Sequence, residues 1–147
     1  MRARGALAWF DPRGRLSAPD FRRRLIRLLL TFFGCLCAAI WLASLGLRLP
    51  AILAFAGTLP VALSALAQTN RRLHDRDRSG WWLGLYLALE AVAALPLDQA
   101  VETHPISALL LVAALLAYFA WFCIETLLRA GTPGPNRYGP APDDALG

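Results

Sequence analysis

The sequence has no lysine and little charge of either sign. Charged residues make up 17% of the chain, against about 25% in an average soluble protein. A disordered chain needs low hydrophobicity and high charge, so disorder is excluded. Histidine and cysteine are scarce too, with two and three copies. No C-x-x-C occurs, and His74 has no second histidine near it in sequence. Neither a metal site of three or four ligands nor a cofactor is expected. Cys35, Cys37 and Cys123 read as small apolar fillers of helices. What the chain has instead is apolar: 57% hydrophobic residues and a mean hydropathy of +0.47. With 147 residues, one domain's worth, it cannot hide that much apolar surface from water. The expected class is an all-α membrane protein.

Four runs are long enough to cross a bilayer, which takes roughly 20 apolar residues as helix. They predict spans at about residues 25–47, 50–69, 80–97 and 106–125. An N-terminal segment, 1–24, precedes them and a tail, 126–147, follows, giving a single polytopic domain with four transmembrane helices in a small bundle. In lipid every backbone N–H and C=O must be paired within its own segment, which makes each run a helix. The run after Arg27 is about 20 residues, longer than the 7–15 of a signal-peptide core, so a span is expected there and not a cleaved leader.

A net charge of +5 and a pI near 9.9 suggest nucleic acid when taken alone. The placement of the arginines argues against it. Arg2, Arg4, Arg13, Arg15, Arg22, Arg23, Arg24 and Arg27 precede the first span. Arg71, Arg72, Arg76 and Arg78 lie between the second and third, and Arg129 and Arg137 in the tail. With four spans these share one side, and Arg48 alone is on the other. The positive-inside rule then puts both termini in the cytoplasm. The expected partner is the lipid bilayer, with anionic head groups near Arg22, Arg23, Arg24 and Arg27, and a membrane protein or a second copy as further candidates.

Ser17 and Asp20 are spaced as a capping box for a helix that starts before the membrane, with Phe21 and Leu25 dipping into the interface. Trp41, Trp81, Trp82 and Trp121 fall near span ends, as an aromatic belt does.

The most chemically loaded stretch runs from Asn70 to Trp82. It holds Arg71, Arg72, His74, Asp75, Arg76, Asp77, Arg78, Ser79, Gly80 and Trp81. Ser79 or Asp77 is suited to cap the next helix, and Gly80 to a backbone turn. His74 is a candidate general base, and the arginines match phosphate. The alternative is a connector whose charges neutralise one another. In the tail, Asn136, Arg137 and Tyr138 sit within a Gly- and Pro-rich stretch. They are expected to dock on that loop, with Arg13 or Arg15 completing one cap.

The loop's Arg72-Leu73-His74-Asp75 and Ser79-Gly80-Trp81-Trp82 resemble the hallmark of a bacterial inner-membrane family, domain of unknown function 805. Phe10, Gly14-Arg15-Leu16-Ser17 and Phe21 look like its N-terminal signature. Gly134-Pro135-Asn136-Arg137-Tyr138-Gly139-Pro140 looks like its C-terminal one. Ala18 and Arg22 stand where the family usually has arginine and tryptophan. The resemblance implies a small polytopic inner-membrane protein, and it implies no activity and no catalytic residue.

The expected role is non-enzymatic: structural, interacting or binding anionic lipid. One alternative is a transporter or channel component using Glu90; another is an enzyme acting on a phosphate-bearing lipid at the His74 loop. Glu90 lies inside a span, where an acid costs about 2.5–3.5 kcal/mol on insertion scales, so it is expected to face the bundle. Its stripe includes Trp82, Tyr86, Ala93, Ala94 and Leu97. Pro60 leaves the carbonyl of Ala56 without its helical partner. That carbonyl and the Thr58 hydroxyl are the expected partners of a protonated Glu90.

Overall fold

The computed structural model describes residues 9–96 and 98–142, with the backbone alone for residues 98–100. Arg2, Arg4 and Leu97 therefore lie outside what is described. Among the described residues there are six α-helices, one π-helical turn and no strand beyond a single bridge between Asn136 and Gly139.

Helix α1 covers Ala18–Ser44. Ser17 caps it by accepting from the Asp20 N–H at 3.4 Å, as the capping spacing predicts. At 27 residues the helix is ~40 Å long. Its far end is a Schellman motif. The Leu47 N–H bonds the Leu42 carbonyl and the Gly46 N–H bonds that of Ala43, both at 3.0 Å. Gly46 has φ +76°, which a residue with a Cβ resists. The stop is thus made by Gly46, two residues before Arg48.

Helices α2 (Arg48–Ala56) and α3 (Thr58–Asp75) form one bent rod. Pro60 sits in the first turn of α3, where a missing N–H is tolerated, and the bend at Gly57 separates the two. The Thr58 hydroxyl donates to the Phe55 carbonyl at 2.6 Å and is committed there. Helix α4 covers Trp81–Ala93 and is ~20 Å long, stopping three residues before Pro96. A short α5 (Asp98–Thr103) leads to α6 (Pro105–Cys123), which opens on proline at its first position. The rod continues as a π-helical turn, Ile124–Leu128.

Three rods, residues 18–44, 48–75 and 105–128, are long and apolar enough to cross a membrane; α4 is apolar but shorter. Helix α1 packs along α2 and α3, and α4 packs on α6. Among the described residues α6 packs against neither α1, α2 nor α3; the two groups meet through the π-helical turn and where α4 approaches α3. Burial is correspondingly inverted. Leu29, Leu30, Ile40, Leu53 and Leu109 are exposed, as lipid-facing residues are, while the largest fully buried side chains are Arg72, Leu73, Gln68, Glu125 and Asp75. The tightest packing is polar and lies at one end.

Two expectations need correction. Phe21 is buried against the protein, not dipped into an interface. Glu90 is exposed, and its partner is the Tyr86 hydroxyl at 3.0 Å, one turn away on the same helix. Tyr86 in turn stacks on Phe122 of α6 at 4.6 Å, which fixes the hydroxyl beside the carboxyl. Neither Thr58 nor the bend near Ala56 is used. The aromatic residues divide as well: Trp41 and Trp81 are exposed, but Trp82 packs on Trp121 at 4.9 Å.

Candidate functional site: a polar cap at one end of the helices

The cap begins with a polar stripe on α3. Ser64, Gln68, Arg71 and Asp75 recur at intervals of three and four residues, so they share one face. The N-terminal segment runs along that face. The Trp9 carbonyl accepts from Ser64 at 3.1 Å and from Gln68 at 2.7 Å. The Pro12 carbonyl accepts from Asn70 at 3.1 Å, and the Arg15 carbonyl from Arg71 at 3.4 Å. Arg24 of α1 donates to the other oxygen-bearing end of Gln68 at 2.8 Å. Arg71 is held less completely, because its Nε is buried without a partner. Burial pulls its guanidinium below the ordinary value, and the charge of Arg24 adds to this.

Asp75 is the centre. One oxygen meets Arg15 at 3.0 Å and the other meets Arg72 at 2.5 Å. Asp75 is 1% exposed and Arg72 fully buried. The remaining donors of Arg15 go to carbonyls of the tail, Gly134 at 2.5 Å and Thr132 at 2.6 Å. Those of Arg72 go to the carbonyls of Thr126, at 2.8 Å, and Arg129. Burial lowers the pKa of Arg72, and the Asp75 charge opposes that shift.

Glu125 is a second centre, fully buried in the π-helical turn. Arg76 and Arg129 reach it at 3.1 Å and Arg78 at 3.6 Å. Arg78 also lies over the rings of Trp82 and Trp121.

The geometry has a simple cause. A helix end leaves its last carbonyls unpaired. The tail supplies donors to α3: Thr132 N–H to the Asp75 carbonyl at 2.8 Å, and Asn136 to the His74 carbonyl at 2.9 Å. Arginines do the same for the end of the α6 rod. Arg22 donates to Leu127 at 2.9 Å and Arg76 to Ala130 at 2.5 Å, beside the Arg72 bonds. Cations at helix C-termini also complement the helix dipole.

His74 binds all three segments. Its Nδ1 lies 3.2 Å from the Gly14 carbonyl and its Nε2 lies 3.2 Å from the Asn70 amide nitrogen. Its ring stacks on Tyr138 at 3.8 Å with 4° between planes. Arg137 pairs with Asp77 at 3.1 Å. Asp77 has φ +53° and makes the turn expected of Gly80. Gly80 has an ordinary helical conformation, and its requirement is space, because the Asn70 side chain occupies the position of a Cβ. No side chain caps α4, so neither Ser79 nor Asp77 has that role. Ser79 contributes its carbonyl to the Trp82 N–H at 3.2 Å. Trp81 is 80% exposed.

The structure thus brings Arg71, Arg72, His74, Asp75, Gly80, Asn136 and Arg137 together and leaves Trp81 and Glu90 outside. Arg15 joins them as expected of the cap. Gln68, Glu125, Thr126, Gly131 and Thr132 join as well, without having been candidates at the site. The recurrence of Ser64, Gln68, Arg71 and Asp75 was a signal available for part of that set. Among the described residues no three His, Cys, Asp or Glu side chains cluster as metal ligands. A cleft of about 520 Å3 opens between the start of α1 and the tail, lined by Arg15, Arg22 and Asp75 among others. The donors of Arg15 are committed to Asp75 and the tail, so the cleft offers no free arginine fork from that side chain.

A family model described as protein of unknown function (DUF805) matches residues 9–140. The inner membrane protein YhaH of Escherichia coli strain K12 is 33% identical over 73 residues. Its counterpart in Escherichia coli O157:H7 gives the same figures. The match covers 49% of this chain and 37% of each relative, so the chain spans well under half the length of the curated relatives it matches. No solved structure matches.

Proposed function

The chain belongs to the DUF805 family, and from that premise we propose a multi-pass protein of the bacterial inner membrane with a structural or interaction role and no chemistry at the His74 loop. In this reading it crosses four times, with both termini in the cytoplasm. The cap supports the even count. Residues 9–15, 70–78 and 132–139 meet at one end, so each intervening stretch leaves that end and returns. Helix α4 is ~20 Å long against a hydrocarbon core of about 30 Å, so in this reading its crossing draws on more of the chain than α4 itself. Twelve arginines and five acidic residues lie at the cap end among the described residues, which favours the cytoplasmic side. Exposed Arg23 and Arg27 are placed to meet anionic head groups.

One observation carries the non-catalytic reading: both ring nitrogens of His74 are engaged and its face is covered by Tyr138. A general base needs a free nitrogen within reach of the proton it takes. Carbethoxylation by diethyl pyrocarbonate tests this in nanodiscs, with exposed His104 as the internal standard. His74 is expected to react at least tenfold more slowly. Equal or faster reaction at His74 refutes the saturated site and returns the enzyme reading. A transporter component remains the second reading, favoured by the exposed carboxyl of Glu90 on an otherwise apolar helix.

A further inference from the structure

We propose that His74 is an acid-sensitive latch: its neutral ring holds the N-terminal segment, the α3–α4 loop and the tail together, and a proton on Nε2 releases them. The hydrogen-bond network selects the neutral ring. Nδ1 carries the hydrogen and donates to the Gly14 carbonyl at 3.2 Å, an assignment made from the partners. Nε2 is then bare and accepts from the Asn70 Nδ2 at 3.2 Å. The other hydrogen of that amide goes to the Pro12 carbonyl at 3.1 Å. Turning the amide over to receive a proton from Nε2 would set the Asn70 oxygen against the Pro12 carbonyl. Protonation therefore breaks either the His74–Asn70 contact or the Asn70–Pro12 contact, whichever way the amide lies.

The surrounding charges do not compensate. On its own element, Asp75 is neutralised by Arg15 and Arg72, and Arg71 is a further cation; Arg76 and Arg78, beyond the helix end, are paired with Glu125. Asp77, in the same loop, is paired with Arg137 of the tail. Asp11 and Arg13 flank the contact from the N-terminal segment, Asp11 receiving the Arg13 N–H at 3.0 Å. Tyr138 offers a π face to a cation, but the Arg137 guanidinium lies 4.9 Å from that ring's centre. Burial and the Arg137 charge hold the imidazole below its ordinary value, and the Gly14 carbonyl works against them.

The sign follows. A released His74 titrates near 6.5, and the latched ring titrates lower. The open form binds the proton more readily, so the latch is at full strength above about pH 6.5 and weakens as pH falls toward the latched value. In that window the open-to-closed ratio rises by up to about tenfold per pH unit. The chemistry is independent of the four-crossing reading, which decides only that the pH sensed is cytoplasmic.

Spin labels at exposed positions 13 and 140 read the latch in the full chain in nanodiscs, with Cys35, Cys37 and Cys123 replaced by alanine. The expected result is one short distance at pH 7.5 and a growing long-distance population between pH 6.5 and 5. His74→Asn keeps a donor toward Gly14 and cannot titrate, so its distribution is expected to ignore pH. Should His74→Asn be open already at pH 7.5, Asn70→Asp decides. A carboxylate at that position forgoes the bond to Pro12 at every pH but accepts from a protonated ring, so the acid opening is expected to vanish or move to lower pH. No opening in the parent down to pH 5 overturns the proposal. So does opening with an unchanged midpoint in His74→Asn, or in Asn70→Asp.

Discussion

Replacing Asp75 by asparagine keeps the shape of the side chain and removes its charge. The consequence is set by what surrounds it. The side chains of Arg15 and Arg72 are 2% and 0% exposed and meet one oxygen each. Removing one partner of a buried ion pair costs about 3–5 kcal/mol, because the charge left behind is uncompensated. Here both guanidinium groups keep carbonyl acceptors, Thr132 and Gly134 for Arg15 and Thr126 and Arg129 for Arg72. The lower end, about 3 kcal/mol, is therefore expected. Asp20→Asn is the control, since its pair with Arg23 is 3.8 Å long with both side chains more than half exposed, and such pairs contribute about 0–1 kcal/mol. Unfolding in detergent followed by tryptophan fluorescence compares the two, and trypsin cleavage after Arg137 reports release of the tail. A loss below about 1 kcal/mol for Asp75→Asn, with unchanged tail protection, would refute the reasoning.

Gly131→Ala should act on the same centre from the other side. A Cβ there falls 2.7 Å from Cγ of Asp75, which its two arginines hold in place, so about 1–3 kcal/mol of overpacking and faster tryptic cleavage of the tail are expected; a neutral effect would show the tail free to shift. Glu90→Gln should change stability by no more than about 0.5 kcal/mol, because the position is exposed and the Tyr86 hydroxyl still finds an oxygen; a large loss in the same unfolding assay would restore a bundle-facing role.

What the sequence reveals depends on which force dominates. Apolar runs mark the helices because lipid demands internally paired backbone, and α1, α3 and α6 follow that demand. Ser17 and Asp20 are legible because capping is local. The joining of Arg15, the His74 loop and the Asn136–Tyr138 stretch is legible from polar residues beyond the needs of a linker on regions placed on one side. Glu90 is not, since hydropathy does not say which helices are neighbours, and among the described helices α4 packs on α6 and α3 alone. Glu125 is hidden for a related reason. At the end of an apolar run it reads as a boundary acid paired with Arg129, as it is, but Arg76 and Arg78 arrive from another part of the chain. The arginines themselves mislead in part. Arg22, Arg72 and Arg76 are used on carbonyls at the end of the α6 rod, a role that net charge and the positive-inside rule do not distinguish from snorkelling.

In the proposed topology, tail and loop meet in a closed cap on the cytoplasmic face. Asp77 and Arg137 form its exposed pair, 3.1 Å apart. Cysteines at these two positions, in a chain whose native cysteines are alanine, test proximity and sidedness together through a short membrane-permeant bismaleimide. An efficient intramolecular cross-link is expected in intact spheroplasts, one that an impermeant maleimide added outside does not block and that the same reagent does block in inside-out vesicles. Absence of the cross-link, or blocking from outside intact cells, would contradict it.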